Sequence, residues 1–106
     1  MSITSDMIRG HTETIILKHL KEKDSYGYEI NKSVQIVTDN LYELKEATLY
    51  TAFRRLENAG YITSYWGDEV TGARRRYYSI TKLGKKEYEK GVKEWEETKV
   101  LIDKLI

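Results

Sequence analysis

Apolar residues in the first third of the chain recur at helical spacing. Met7, Ile8, Ile15, Ile16, Leu17 and Leu20 predict a helix over about residues 6–22, with Asp6 as its N-cap. Ile15, Ile16 and Leu17 are consecutive, so they point about 100° apart and cover more than one face. One face serves a domain core and the others call for a second surface. Gly10 weakens this helix only slightly. A second helix, capped by Asp24 or Ser25, carries Tyr28, Ile30, Val34 and Val37 and breaks at Asp39-Asn40. A third starts near Glu46 and turns Leu49, Ala52, Phe53 and Leu56 inward. It ends at Asn58-Ala59-Gly60, where Gly60 suits the left-handed position after a helix. The period then becomes extended. Residues 61–66 and 75–80 are rich in β-branched and aromatic side chains, and they predict an antiparallel hairpin with its tip at residues 70–73.

Thr81 is a good N-cap for a last helix running to residue 106, roughly 39 Å long. That is too long to pack only on so small a domain. Tyr88, Val92, Trp95, Lys99, Ile102 and Ile106 are spaced alternately by four and three, a heptad-like seam that predicts a homodimer. Ile16 on the first helix joins these residues as a candidate interface position.

Composition narrows the chemistry. The chain has 106 residues, so it forms one domain, and 33% of them are charged, so much of every helix must face water. Mean hydropathy is −0.64, and no apolar run approaches the roughly 18 residues of a membrane span. Residues 1–6 lack a basic stretch and an apolar core, which predicts a cytoplasmic protein without a secretory signal. Without cysteine there is no disulfide, zinc–thiolate site or cysteine nucleophile. His11 and His19 lie eight residues apart with no clustered carboxylates, a poor metal site. No phosphate-cradling glycine loop, nucleophile elbow or acid–base pair is visible, so neither an enzyme nor a cofactor is expected. The net charge of +1 decides nothing, but Arg74-Arg75-Arg76 in the hairpin is the densest positive cluster.

Helix, helix, helix, hairpin, long helix is a mainly α layout. It reads as a winged helix-turn-helix over residues 1–80 and a dimerisation helix over 81–106, packed as one unit. The third helix then presents Ala47, Thr51, Arg54 and Asn58 opposite its apolar face, with Thr48, Tyr50 and Arg55 on the flanks. Thr and Tyr hydroxyls and Arg guanidinium groups reach base edges and phosphates. Lys45 precedes the helix, where a cation and free N–H groups meet a phosphate. Arg74, Arg75 and Arg76 suit a narrow minor groove and its flanking phosphates. The same residues also fit a solvated helix face and a charged edge strand. A two-fold dimer with one recognition helix per subunit should prefer an inverted-repeat operator in double-stranded DNA. The alternative is a winged helix that serves as a protein–protein interaction module without its own ligand.

The strings Tyr26-Gly27-Tyr28-Glu29-Ile30, Ala47-Thr48-Leu49-Tyr50, Arg54-Arg55-Leu56-Glu57, Gly60-Tyr61-Ile62 and residues 72–81 resemble the PadR family of bacterial regulators. The resemblance covers nearly the whole chain. The single C-terminal helix, with Glu94-Trp95, resembles the short subclass that includes multidrug-sensing members. The resemblance implies a winged helix domain, a two-fold dimer through the first and last helices, and operator binding, usually repression, released by a small molecule. It places the start of the second helix against the DNA backbone, so that Tyr26 and Gly27 could contact phosphate while Tyr28 packs inside. Trp95 is then either an aromatic of the dimer core or a stacking plate for a small planar aromatic effector. Met7, Ile8 and Ile15 are candidate walls, and Lys99, one turn on, favours neutral or anionic compounds over cations. The sequence lacks the common proline near the recognition helix and has Lys45-Glu46 there instead.

Overall fold

A computed structural model describes residues 2–67 and 74–106, with side chains from Asp6 onward. The elements are α1 (Ser2–Arg9), α2 (Thr12–Glu22), α3 (Gly27–Val37), α4 (Glu46–Asn58), β1 (Ile62–Trp66), β2 (Arg76–Ile80) and α5 (Lys82–Leu105). The expected hairpin tip at residues 70–73 lies outside the described residues.

The first helix departs from the sequence expectation. It is two helices broken at Gly10-His11, and Asp6 sits inside α1, paired with Arg9, rather than capping a helix. The Thr12 hydroxyl closes the break by donating to the Arg9 carbonyl at 2.8 Å. Among the described residues, a Cβ at Gly10 would meet no atom within 4 Å.

The consecutive apolar residues of α2 divide as their angular spacing requires. Ile16, Leu17 and Leu20 enter the core, whereas Ile15 lies half-buried beside it. Ile16 is 0% exposed, so it has no surface to offer a second chain and is a core residue, not an interface residue. Ile30 and Val34 of α3, Leu44, and Leu49, Ala52, Phe53 and Leu56 of α4 complete the helical part of the core. The inward face expected of α4 is the one observed. Phe53 stacks on Tyr78 of β2 with ring centroids 3.9 Å apart, which joins hairpin to helices.

The connection from α3 to α4 turns at Asp39 and Asn40, both with positive φ. The Asn31 side chain then fixes the approach to α4. It accepts from the Leu44 N–H at 2.7 Å and donates to the Leu44 carbonyl at 2.9 Å. Gly60, at φ +83°, ends α4 as expected and releases the chain into β1. The strands pair antiparallel from Ile62 opposite Ile80 to Trp66 opposite Arg76. Ser25 adds an isolated bridge to Tyr78, which ties the start of α3 to the hairpin.

Thr81 caps α5 by accepting from the Gly84 N–H at 3.0 Å. The first half of α5 lies against α2. From Lys93 to Ile106 every residue is exposed, including Val100, Leu101, Ile102, Leu105 and Ile106. No helix among the described residues is long and apolar enough to cross a membrane.

Candidate nucleic-acid interface

Helix α4 owes its orientation to the core. With Leu49, Ala52, Phe53 and Leu56 buried, the 3.6-residue repeat turns Ala47, Tyr50, Thr51, Arg54, Arg55 and Asn58 to the surface. Lys45 is the N-cap residue and is exposed, next to the unpaired N–H groups of the first turn. Thr48 is half-buried. Arg54 has no carboxylate partner among the described residues.

The arginines flank this helix through the hairpin. Arg74 and Arg75 precede β2 and Arg76 opens it. Together with Tyr26, Gly27, Tyr28, Tyr50 and Trp66 they line one open concavity of about 460 Å³. Aromatic rings position the cations. The Arg75 guanidinium lies 5.0 Å from the Tyr26 ring centre, and that of Arg74 lies 5.2 Å from Trp66. Arg76 donates to Ser64 Oγ at 2.9 Å and pairs with Glu57 at 3.5 Å. Trp66 is thus an exposed plate beneath two arginines, not a core residue.

Tyr28, expected to pack inside, is exposed instead, while Tyr26 stays at the edge of the concavity. Tyr28 is 66% exposed, while Tyr26 is half-buried with its ring edge-on to Tyr77 at 5.2 Å. The phase of α3 decides this. The helix begins at Gly27 with Tyr26 as an extended N-cap, so Ile30 and Val34 face inward and Tyr28 cannot. Neither Asp24 nor Ser25 is the cap. Asp24 accepts from the Tyr65 hydroxyl at 2.6 Å, a bond that pushes the Tyr65 phenol up. Ser25 donates to Glu29 at 2.5 Å, which with Lys23 holds the Glu29 carboxyl below its ordinary value. Gly27 is buried under the Tyr50 side chain on the concavity's floor.

A second site lies between α2 and α5. His11, Thr14, Ile15, Lys18, Tyr88, Gly91, Val92 and Trp95 line a mainly apolar groove of about 310 Å³. Trp95 is partly exposed. The His11 ring meets it edge-on at 5.0 Å and Lys99 Nζ lies 5.7 Å from its ring centre. Lys99 also pairs with Glu96 at 3.1 Å. Of the expected walls only Ile15 is here. Met7 is exposed outside the groove, and Ile8 lines a different one with Val34, Val37 and Tyr42. The break at Gly10-His11 leaves His11, rather than Met7 or Ile8, on this groove. Tyr88 packs on its own core beneath Lys21, whose Nζ is 5.2 Å from the ring centre. Among the described residues no three His, Cys, Asp or Glu side chains gather to hold a metal.

Sequence reasoning missed His11 as a wall of this groove; Gly10 is the local signal, but its modest cost inside a helix does not by itself predict a break. It also passed over Arg9, which lies across α4 from the hairpin arginines.

Known proteins share this arrangement. Residues 16–90 match the Transcriptional regulator PadR-like family. A transcriptional regulator from Clostridium thermocellum has 56% sequence identity and a TM-score of 0.88, covering 96% of this chain and 99% of that one. A PadR family transcription regulator from Clostridium difficile has 35% identity and a TM-score of 0.74, over 90% of this chain and 97% of that one. An uncharacterised protein of Lysinibacillus sphaericus is 50% identical over 101 residues, which are 95% of this chain and 93% of that protein. Four helices, a hairpin and a long closing helix, matched across most of their length, make this chain a member of the PadR-like family of transcriptional regulators, with the DNA-binding regulation that membership implies.

Proposed function

We propose that this protein is a homodimeric, sequence-specific repressor, acting in the cytoplasm on an inverted-repeat operator and released from it by a planar aromatic small molecule. The observation that carries the DNA side is a convergence. Tyr26 at the start of α3, Tyr50 on α4 and Arg74, Arg75 and Arg76 of the hairpin share one concavity beside the exposed face of α4. In this reading Thr48, Tyr50, Thr51 and Arg54 meet base edges in the major groove. Lys45, Tyr26, Gly27 and the three hairpin arginines meet phosphates and the adjoining minor groove.

The overhanging half of α5 supports the dimer. Val92, Trp95, Ile102 and Ile106 lie exposed along one seam, and burying such a seam against a second copy is its usual outcome. The effector would enter the groove beside Trp95 and stack on its ring, with Ile15, His11 and Val92 as walls and Lys99 disfavouring cations.

The test begins by selecting an operator from a pool of random duplexes. Binding to the selected and random duplexes is then measured by gel shift. Thr51→Ala and Arg54→Ala should change the preferred sequence. Arg74→Ala and Arg75→Ala should weaken all duplexes evenly and flatten the salt dependence. Equal loss on both duplexes for all four variants would refute the division of labour.

A further inference from the structure

Helix α4 has a second flank. Opposite the hairpin, Arg9, Ala47, Thr48, Thr51 and Arg55 line an open cleft of about 320 Å³ where the break between α1 and α2 meets α4. We propose that this cleft is a second phosphodiester site, in which Arg9 and Arg55 grip the sugar–phosphate backbone of the duplex that α4 enters. The inference rests on the DNA-binding reading above and adds Arg9 and Arg55, which that reading does not use.

Three features point to a phosphate. The charged groups of the cleft are two guanidinium groups, whose planar forks match phosphate oxygens in pairs. Thr48 and Thr51 put hydroxyls and no carboxylate on the α4 wall of the cleft, so nothing on that wall repels a phosphate while the two threonines reach the bases. Ala47 is short and exposed, which lets a polymer backbone approach the helix.

Both guanidinium groups are already answered by carboxylates. Asp6 pairs with Arg9. Glu13 of α2 takes Arg55 with two bonds, from Nη2 at 2.6 Å and from Nε at 2.7 Å. These pairs lie at the surface, with the arginine side chains 62% and 71% exposed, and exposed pairs contribute little to stability. Exchanging a carboxylate for a phosphate therefore costs the fold little. Glu13 acts as a resident anion that a duplex phosphate displaces. With the hairpin arginines on one flank and this cleft on the other, α4 is clamped against rotation in its groove, which is what backbone contacts provide.

The experiment uses the full-length protein with the selected operator and a random duplex, read by fluorescence anisotropy across a salt series. Arg9→Ala with Arg55→Ala should lower the slope of log Kobs against log salt by about 0.9 per bound protomer, for the one phosphate no longer neutralised, on both duplexes. Glu13→Gln should tighten binding several-fold to both duplexes, and the gain should vanish in an Arg55→Ala background. Thermal melts close to wild type show that the variants are folded. An unchanged slope in the double variant, while Arg74→Ala lowers it, overturns this site and leaves the hairpin assignment standing. A loss confined to the operator also overturns it, because Arg55 would then read a base. Absence of any duplex binding by the wild-type protein overturns both this inference and the function on which it rests.

Discussion

Helix α5 reaches Trp95 by passing unusually close to α2, and Gly91 permits it. A Cβ at position 91 would lie 3.2 Å from Thr14 Cγ2, 3.3 Å from Thr14 Cβ and closer still to Thr14 Oγ1. Two effects of Gly91→Ala oppose each other. Alanine is favoured over glycine in a helix interior by about 1 kcal/mol. Overpacking a tight contact costs about 1–3 kcal/mol. Thr14 Oγ1 and Cγ2 both crowd the new Cβ, so turning one of them away leaves the other, and the clash wins or at best cancels. Thr14→Ala removes Oγ1 and Cγ2 and leaves only the 3.3 Å approach, which a shift of a few tenths of an ångström absorbs. In that background Gly91→Ala should recover most of the propensity gain. The two positions should thus couple by about 1–3 kcal/mol in a double-mutant cycle. At about 4–8 °C per kcal/mol for a domain near this size, Gly91→Ala should lower or leave Tm in wild type and raise it by several degrees in the Thr14→Ala background. Circular dichroism melts measure this, at fixed protein concentration because association shifts Tm. An equal shift in both backgrounds would show that the crossing is not set by this contact. Gly84→Ala is the contrasting case. Its Cβ would meet the Tyr61 carbonyl group and Ile80 Cγ1 at 2.8 Å, and no side-chain deletion can clear backbone.

Other consequences are as direct. Trp95→Ala should abolish quenching of tryptophan fluorescence by planar aromatic acids, with Trp66 left as constant background, and Lys99→Asp should shift preference towards planar cations; unchanged binding in Trp95→Ala would leave Trp95 as packing alone. Deleting residues 93–106 should leave a protein that sediments as a monomer or aggregates, whereas a full-length chain that is monomeric at high concentration would refute the dimer. The Ser25 hydroxyl, then Lys23, holds the Glu29 carboxyl below its ordinary 4.5, so its stabilisation is full above about pH 4.5 and is lost as pH falls through the lower native value. Glu29→Gln should therefore flatten the acid limb of Tm against pH, and a parallel limb would contradict that origin.

What could be read from the sequence was local. The limits of α4, the left-handed Gly60, the cap at Thr81 and the inward stripe of α4 each depend on a few adjacent residues, and the structure agrees with all of them. The errors arose where phase or distance mattered. Residues two apart on a helix point about 200° apart. That is why Tyr28 turns outward once Ile30 faces the core, with Tyr26 left outside the helix as its N-cap. Ile15 and Ile16 are both apolar and adjacent, and only the fold decides that Ile16 is core while Ile15 faces the grooves. The Glu13–Arg55 pair joins residues 42 positions apart, and no local pattern encodes it. The Trp95 groove was legible in its aromatic but not in its walls, since the break at Gly10 moved Met7 and Ile8 elsewhere and brought His11 in.

That break also places both candidate sites on one short stretch of chain. In the first turn of α2, His11, Thr14 and Ile15 face α5 and the Trp95 groove, while Thr12 and Glu13 face α4, where Glu13 holds Arg55. Arg9, at the end of α1, completes the α4 side. A ligand that wedges α5 away from α2 therefore acts on the helix that also sets one flank of α4. The buried side of α2, through Ile16, Leu17 and Leu20, is rigid core, so displacement concentrates at its N-terminal turn, next to the broken corner at Gly10-His11. Proximity alone does not make a switch. The ligand weakens DNA binding only by the ratio of its affinities for the free and operator-bound arrangements, and the operator weakens ligand binding by the same factor. The Glu13–Arg55 pair offers a discrete element for those two arrangements to differ in: closed on itself when the cleft is empty, opened when a phosphate enters.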